Sequence, residues 1–249
     1  MYRGFNMTIA EEGFDGYEVD GIPLRDSQKA RMHEILSTFK DSDGDLIASR
    51  LTADWFPDVD AHVFISHAHV DSELATRLAG FLSYHFDLVS FIDSTVWGSS
   101  DELLKMIDEQ YCWQEESGTY NYSKRNRSTS HVHMMLATAL AKMINSCECV
   151  IFLNTPSSIS SSSYINGQVT ESPWIYSEIA MTSLIQKRDP SEHRLRKSFL
   201  AMDEALRVKY DVNLSHLTSI SAADIKKWLD NAGNVKKGRA LDLLYSITE

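Results

Sequence analysis

Residues 62–75, HVFISHAHVDSELA, place His67, His69 and Asp71 at the end of a short apolar run. His-x-His-x-Asp after a strand is one way in which a binuclear metallohydrolase opens its metal site. The same residues also make an ordinary exit from a parallel strand into a helix, with Asp71 or Ser72 as its cap. The neighbouring residues favour the strand exit. Ser72 stands where a further histidine ligand would come, no glycine pair succeeds it, and His131, His133, His193 and His216 sit in no ligand pattern. A second place with chemistry is SPWIYSEIAMTSLIQKR (172–188). Its apolar stripe is Trp174, Ile175, Ile179, Thr182 and Ile185, and Glu178 falls on that stripe, one turn after Trp174. A half-buried glutamate is costly unless paired, and its pKa is pushed up. The plain alternative is a marginal glutamate, neutralised by a lysine or histidine or left in water.

Alternating elements must position these groups. HVFIS is a short buried strand, and Leu74, Leu78, Phe81 and Leu82 mark the helix behind it. LVSFID (88–93) and ECVIFLN (148–154) are further strands, HVHMMLATALAKMINS (131–146) is helical, and Ser172 caps a helix with Pro173 in its first turn. Strands alternating with helices predict an α/β fold, mainly parallel, with helices on both faces. In such sheets functional groups gather at the carboxyl ends of strands, here Ser66–His67, Asp93–Trp97 and Asn154–Ser157. Residues 1–23 read as a loosely held leader, 24–40 as a helix, 94–130 as an insertion, and 190–249 as a mainly helical tail with a strand near VKYDVNL. DSDGDL (41–46) resembles a calcium loop superficially, but its glycine comes too early and the twelfth position is Thr52, not glutamate.

The chain has 249 residues, with 35 acidic against 24 basic and a formal net charge of −11. That balance argues against nucleic acid or an anionic membrane as a partner. The cysteines, Cys112, Cys147 and Cys149, are odd in number and suit a reducing compartment. With no apolar signal segment and no run long enough to span a bilayer, the expected location is cytoplasmic.

HVFISHAHVDSELATRLAGFL, LVSFID, ECVIFLNTPSS and SPWIYSEI, in that order, resemble the successive signatures of the Toll/interleukin-1 receptor (TIR) domain family. The resemblance covers about residues 60–190 and implies a flavodoxin-like three-layer fold. It makes 1–59 an N-terminal extension with one helix and 191–249 the end of the domain plus a helical tail. In enzymatic members the glutamate of the last helix cleaves the nicotinamide N-glycosidic bond of NAD, a role that carries over to Glu178. Ser66, His67, Asp93, Trp97 and Trp174 become the substrate-binding set, with His67 at the pocket rim and Trp97, in the loop after the second strand, as first candidate to stack on nicotinamide. NAD is then substrate rather than cofactor, and no metal is called for. ADP-ribose and a cyclic isomer both remain open as product. The resemblance further implies self-association, a possible effector partner and a role in bacterial antiphage defence. A non-catalytic TIR adaptor, and a hydrolase using His67, His69 and Asp71, are the alternatives.

Overall fold

A computed structural model describes residues 1–9, 14–29, 36–56, 59–162, 167–170, 172–185, 187–193, 210–211 and 216–248, the side chains of 29, 96–99, 161–162, 167, 192–193 and 210–211 excepted. The elements run β1 (Arg3–Thr8), α1 (Glu18–Lys29), α2 (Ala48–Trp55), β2 (Val63–Ser66), α3 (Ser72–Phe86), β3 (Ser90–Ile92) and α4 (Ser94–Tyr111). A small hairpin of β4 (Trp113–Gln114) and β5 (Thr119–Tyr120) precedes α5 (Tyr122–Ser146) and β6 (Cys149–Leu153). Then come β7 (Ser160–Ser162), β8 (Gly167–Thr170), α6 (Pro173–Leu184), α7 (Pro190–His193), β9 (Tyr210–Asp211), β10 (Thr218–Ser221), α8 (Ala222–Ala232) and α9 (Gly238–Ile247).

Five strands form one parallel sheet in the order β10-β1-β6-β2-β3. Its central strands β2 and β6 are buried along their whole length with apolar residues on both faces, as a parallel sheet covered on both sides requires. Val63, Ile65, Ile92, Cys149, Ile151 and Leu153 pack with α3, α8 and α9 on one face. Phe64, Phe91 and Val150 point the other way, into a core built with α2, α4 and α5. Helices on both faces of a parallel sheet make the three-layer α/β architecture that the alternating pattern predicts. The exposed side of β3 is managed by α1: the Gln28 side chain donates to Ser90 O and accepts from Ile92 N, so a side chain stands in for a neighbouring strand. No helix among the described residues is long and apolar enough to cross a membrane.

Three expectations are corrected. Residues 1–23 are not a loose leader: β1 enters the sheet between β6 and β10, with Phe5 and Met7 fully buried, and α1 starts at Glu18. The N-terminal extension also holds two helices rather than one, since α2 follows α1. The helix expected over 24–40 is instead α1, Glu18–Lys29, with a short 3-10 turn at Leu36–Phe39 and 30–35 outside the described residues; the 94–130 insertion is built as a continuous helix, a hairpin and the first turns of α5. In the tail, β9 is the strand foreseen near VKYDVNL, paired with β8; residues 194–209 lie outside the described set.

Candidate active site

Ser66 ends β2 and Asp93 follows β3, so the adjacent parallel strands deliver a hydroxyl and a carboxylate to the same sheet edge. Opposite them stands α6. Ser172 caps it by accepting from Ile175 N, Pro173 begins it, and Ile175 and Ile179 bury it against Phe152, Ala68 and Ile159. That docking aims Glu178 at the strand ends. The Ser66 hydroxyl donates to Glu178 Oε2 at 2.5 Å, across 112 residues of sequence.

The cluster is sealed: Glu178 and Ser66 are 1% exposed, His67 and Asp93 0%. Burial is the main force raising the Glu178 pKa well above the ordinary glutamate range. The charge of Asp93 and a hydrogen bond with it push the same way, against the Ser66 hydroxyl. Glu178 Oε1 and Asp93 Oδ2 each find no other hydrogen-bond partner among the described residues. The raised Glu178 pKa favours the form that carries a proton, which removes the repulsion of two buried anions and lets Glu178 donate to Asp93.

His67 holds the other side of Asp93. Its Nδ1 lies 2.6 Å from Asp93 Oδ1, a close ionic contact rather than an aligned hydrogen bond, and its Nε2 meets Ser94 Oγ at 3.1 Å. Burial alone would lower the His67 pKa. The charge of Asp93, its contact with the ring and the Ile65 backbone reverse the sign, leaving it raised. Asp93 Oδ1 also accepts from Ser94 N at the start of α4. The His67 ring and the carboxyl groups of Asp93 and Glu178 thus sit side by side in one sealed cluster.

Of the expected set, Ser66, His67, Asp93 and Glu178 come together. His67 is not at a rim but beneath the surface, because Asp93 draws the ring inward. Trp97 is in no loop: α4 starts at Ser94 and carries it, and its side chain lies outside what the structure describes. Trp174 turns into the core formed with α4 and α5, its ring against His133 at a centroid distance of 6.3 Å, where it anchors the helix. His67, His69 and Asp71 do not converge. His69 is exposed, and Asp71, although at the start of α3, does not cap it; its Oδ2 accepts from Thr155 Oγ1 at 2.6 Å, tying the loop after β6 to that after β2. Among the described residues no group of three or more His, Cys, Asp or Glu is placed to hold a metal ion.

Sequence reasoning missed Ser94, which meets His67 Nε2 and donates its N–H to Asp93, and missed the sheet row that contains Asn6. Asn6 on β1 and Ser66 on β2 are both in register with Phe152 of β6, so the three form one row across the sheet. The only sign of this was the alternation of Phe5 and Met7 in an otherwise polar leader. Comparison with protein-family models, curated proteins and solved structures finds no match to this chain, so its functional reading rests on geometry and chemistry.

Proposed function

We propose that the chain is a TIR-type enzyme that cleaves the nicotinamide N-glycosidic bond of NAD, with Glu178 as the catalytic group. The observation that carries this reading is a carboxyl group buried on an apolar helix face and delivered to the strand ends beside Ser66 and Asp93. Nicotinamide leaves NAD as a neutral base from a cationic N-glycoside, so no acid need protonate it, and the two-carboxylate machinery of ordinary glycosidases is unnecessary. One anion beside the ribose stabilises the oxocarbenium-like transition state and orients the hydroxyls. Asp93, fixed by His67 and Ser94 N, positions Glu178 and accepts its proton contact in the resting site. A cationic substrate entering next to the pair favours ionisation of Glu178. Capture by water gives ADP-ribose, and capture by a nucleophile of the same molecule gives a cyclic isomer. Antiphage defence is the role this reading implies.

A second reading, a non-catalytic TIR interaction module, is favoured by one observation: the carboxyl group is closed off from solvent. Incubation of the purified protein with NAD, with products identified by mass spectrometry, separates the two. Under the enzymatic reading the wild type releases nicotinamide and Glu178→Gln loses at least about a hundredfold in rate, the scale of an electrostatic transition-state contact. Equal nicotinamide release by both, or none by either at high protein concentration, leaves the interaction module standing.

A further inference from the structure

Away from the carboxyl pair, α2 and the 44–46 turn face α4 and α5 across a cleft of two lobes. The larger holds about 760 Å³ and the smaller about 350 Å³, and they share Leu46, Ile107, Ser128 and His131. These volumes fall in the range of small-molecule sites, which are mostly apolar with a few polar groups to fix orientation. The larger lobe has that character: Leu51, Ile107, Met134 and Met135 supply its walls, and Met134 is 65% exposed. The smaller lobe differs in charge, for Lys124 and Arg127 line it. Both are exposed, and neither makes an ion pair with another described residue.

The distribution of charge is the telling feature. In a chain with 35 acidic residues and 24 basic ones, no aspartate or glutamate lines the larger lobe, whereas His131 and Lys142 do. The smaller lobe has a single acid, Asp45, against Lys124 and Arg127. A long apolar trough thus ends at a cationic patch on an otherwise acidic molecule. Such a surface complements a ligand with an apolar body and an anionic end, since paired cations bind phosphate through short, charge-assisted hydrogen bonds.

We propose that this cleft binds a small amphipathic anion, a single apolar chain bearing a phosphate-type head, with the chain in the larger lobe and the head at Lys124 and Arg127. The site shares no residue with the carboxyl pair, so its occupancy is testable whether or not the protein cleaves NAD. Isothermal titration of the full chain with decyl phosphate below its micelle concentration, decan-1-ol and inorganic phosphate reads it directly. Decyl phosphate binds at least about tenfold more tightly than decanol, and inorganic phosphate alone gives no saturable heat. Lys124→Glu combined with Arg127→Glu removes that preference and leaves decanol binding in place. Thr138→Trp, at an exposed position of the larger lobe, weakens both amphiphiles by about tenfold or more. Circular dichroism checks that each variant is folded; should Thr138→Trp fail, Ala53→Trp obstructs the lobe from the exposed face of α2 instead. Equal affinity of the wild type for decanol and decyl phosphate, or decyl phosphate binding unchanged in either kind of variant, overturns the proposal.

Discussion

Glu178 and Asp93 are two acids in one buried site, and burial disfavours two anions side by side. Glutamine at position 178 reproduces the protonated acid: its carbonyl accepts from Ser66, and its amide donates to Asp93 Oδ2, which otherwise has no donor among the described residues but Glu178's own proton. An unmet buried acceptor costs about 1–3 kcal/mol. Glu178→Gln is therefore expected to fold and to melt at or above the wild-type temperature at neutral pH, by about 2–4 °C per kcal/mol recovered. The pH dependence has a fixed sign. A raised folded pKa means that the native state holds the proton more tightly than the unfolded chain. Wild-type stability is therefore intact below the unfolded glutamate value and falls as pH rises from there through the raised one. Melting curves from pH 4 to 8 should show the variant's advantage opening from nothing at the acid end; parallel curves would contradict the shared proton. The raised His67 pKa adds a further loss as pH rises from the unfolded histidine value through the raised one, common to both proteins. Glu178 was legible in the sequence because a carboxylate on an apolar stripe is a local conflict. Its pairing with Asp93 and the inward turn of His67 were not, because they depend on how α6 docks on two strand ends far away in the chain.

At the scale of elements, β2, β3, β6, α3 and the start of α6 follow from short-range pattern: apolar runs, four-residue spacing, a serine cap followed by proline. β1 does not, since six residues with two buried side chains carry little periodicity and its partners β6 and β10 lie about 150 and 210 residues away. The core shows what the leader is for. Phe5 is fully buried among the α8 and α9 side chains and stacks with Tyr245. Phe5→Ala should cost about 3–5 kcal/mol in denaturant unfolding; a loss under about 0.5 kcal/mol, the level of ordinary surface changes, would return β1 to the status of an appendage. The crossing of α1 over α3 is set by two glycines. A methyl group at Gly21 would meet the Thr76 carbonyl, and one at Gly80 the Tyr17 carbonyl, so the helices touch backbone to backbone. Gly80→Ala, although it favours helix locally, should destabilise by about 1–3 kcal/mol because the added carbon meets atoms that cannot swing aside. Since α1 carries Gln28 to the edge of β3, the same variant should also increase amide exchange in β3.

As a whole molecule, the chain carries a formal charge of −11, and any assembly of like copies must overcome it. Under the proposed function a carboxyl group 1% exposed needs a rearrangement at the strand ends before a dinucleotide reaches it, and we propose that a neighbouring subunit supplies the contacts that hold the open form. The outward side of α6 offers apolar purchase for such a neighbour, with Leu184 83% and Tyr176 38% exposed on the helix that holds Glu178. Charge repulsion between copies reaches about 30 Å at 0.01 M ionic strength and about 10 Å at 0.1 M. Turnover per molecule should then rise with protein concentration, and at a fixed low concentration it should rise as sodium chloride is raised over that range. Leu184→Asp, which adds charge and removes the apolar contact without touching the core, should suppress both increases while leaving the melting temperature within a few degrees. A turnover per molecule indifferent to dilution and to salt would mean that each subunit completes its own pocket, and the opening of the carboxyl site would have to be sought within the strand-end loops.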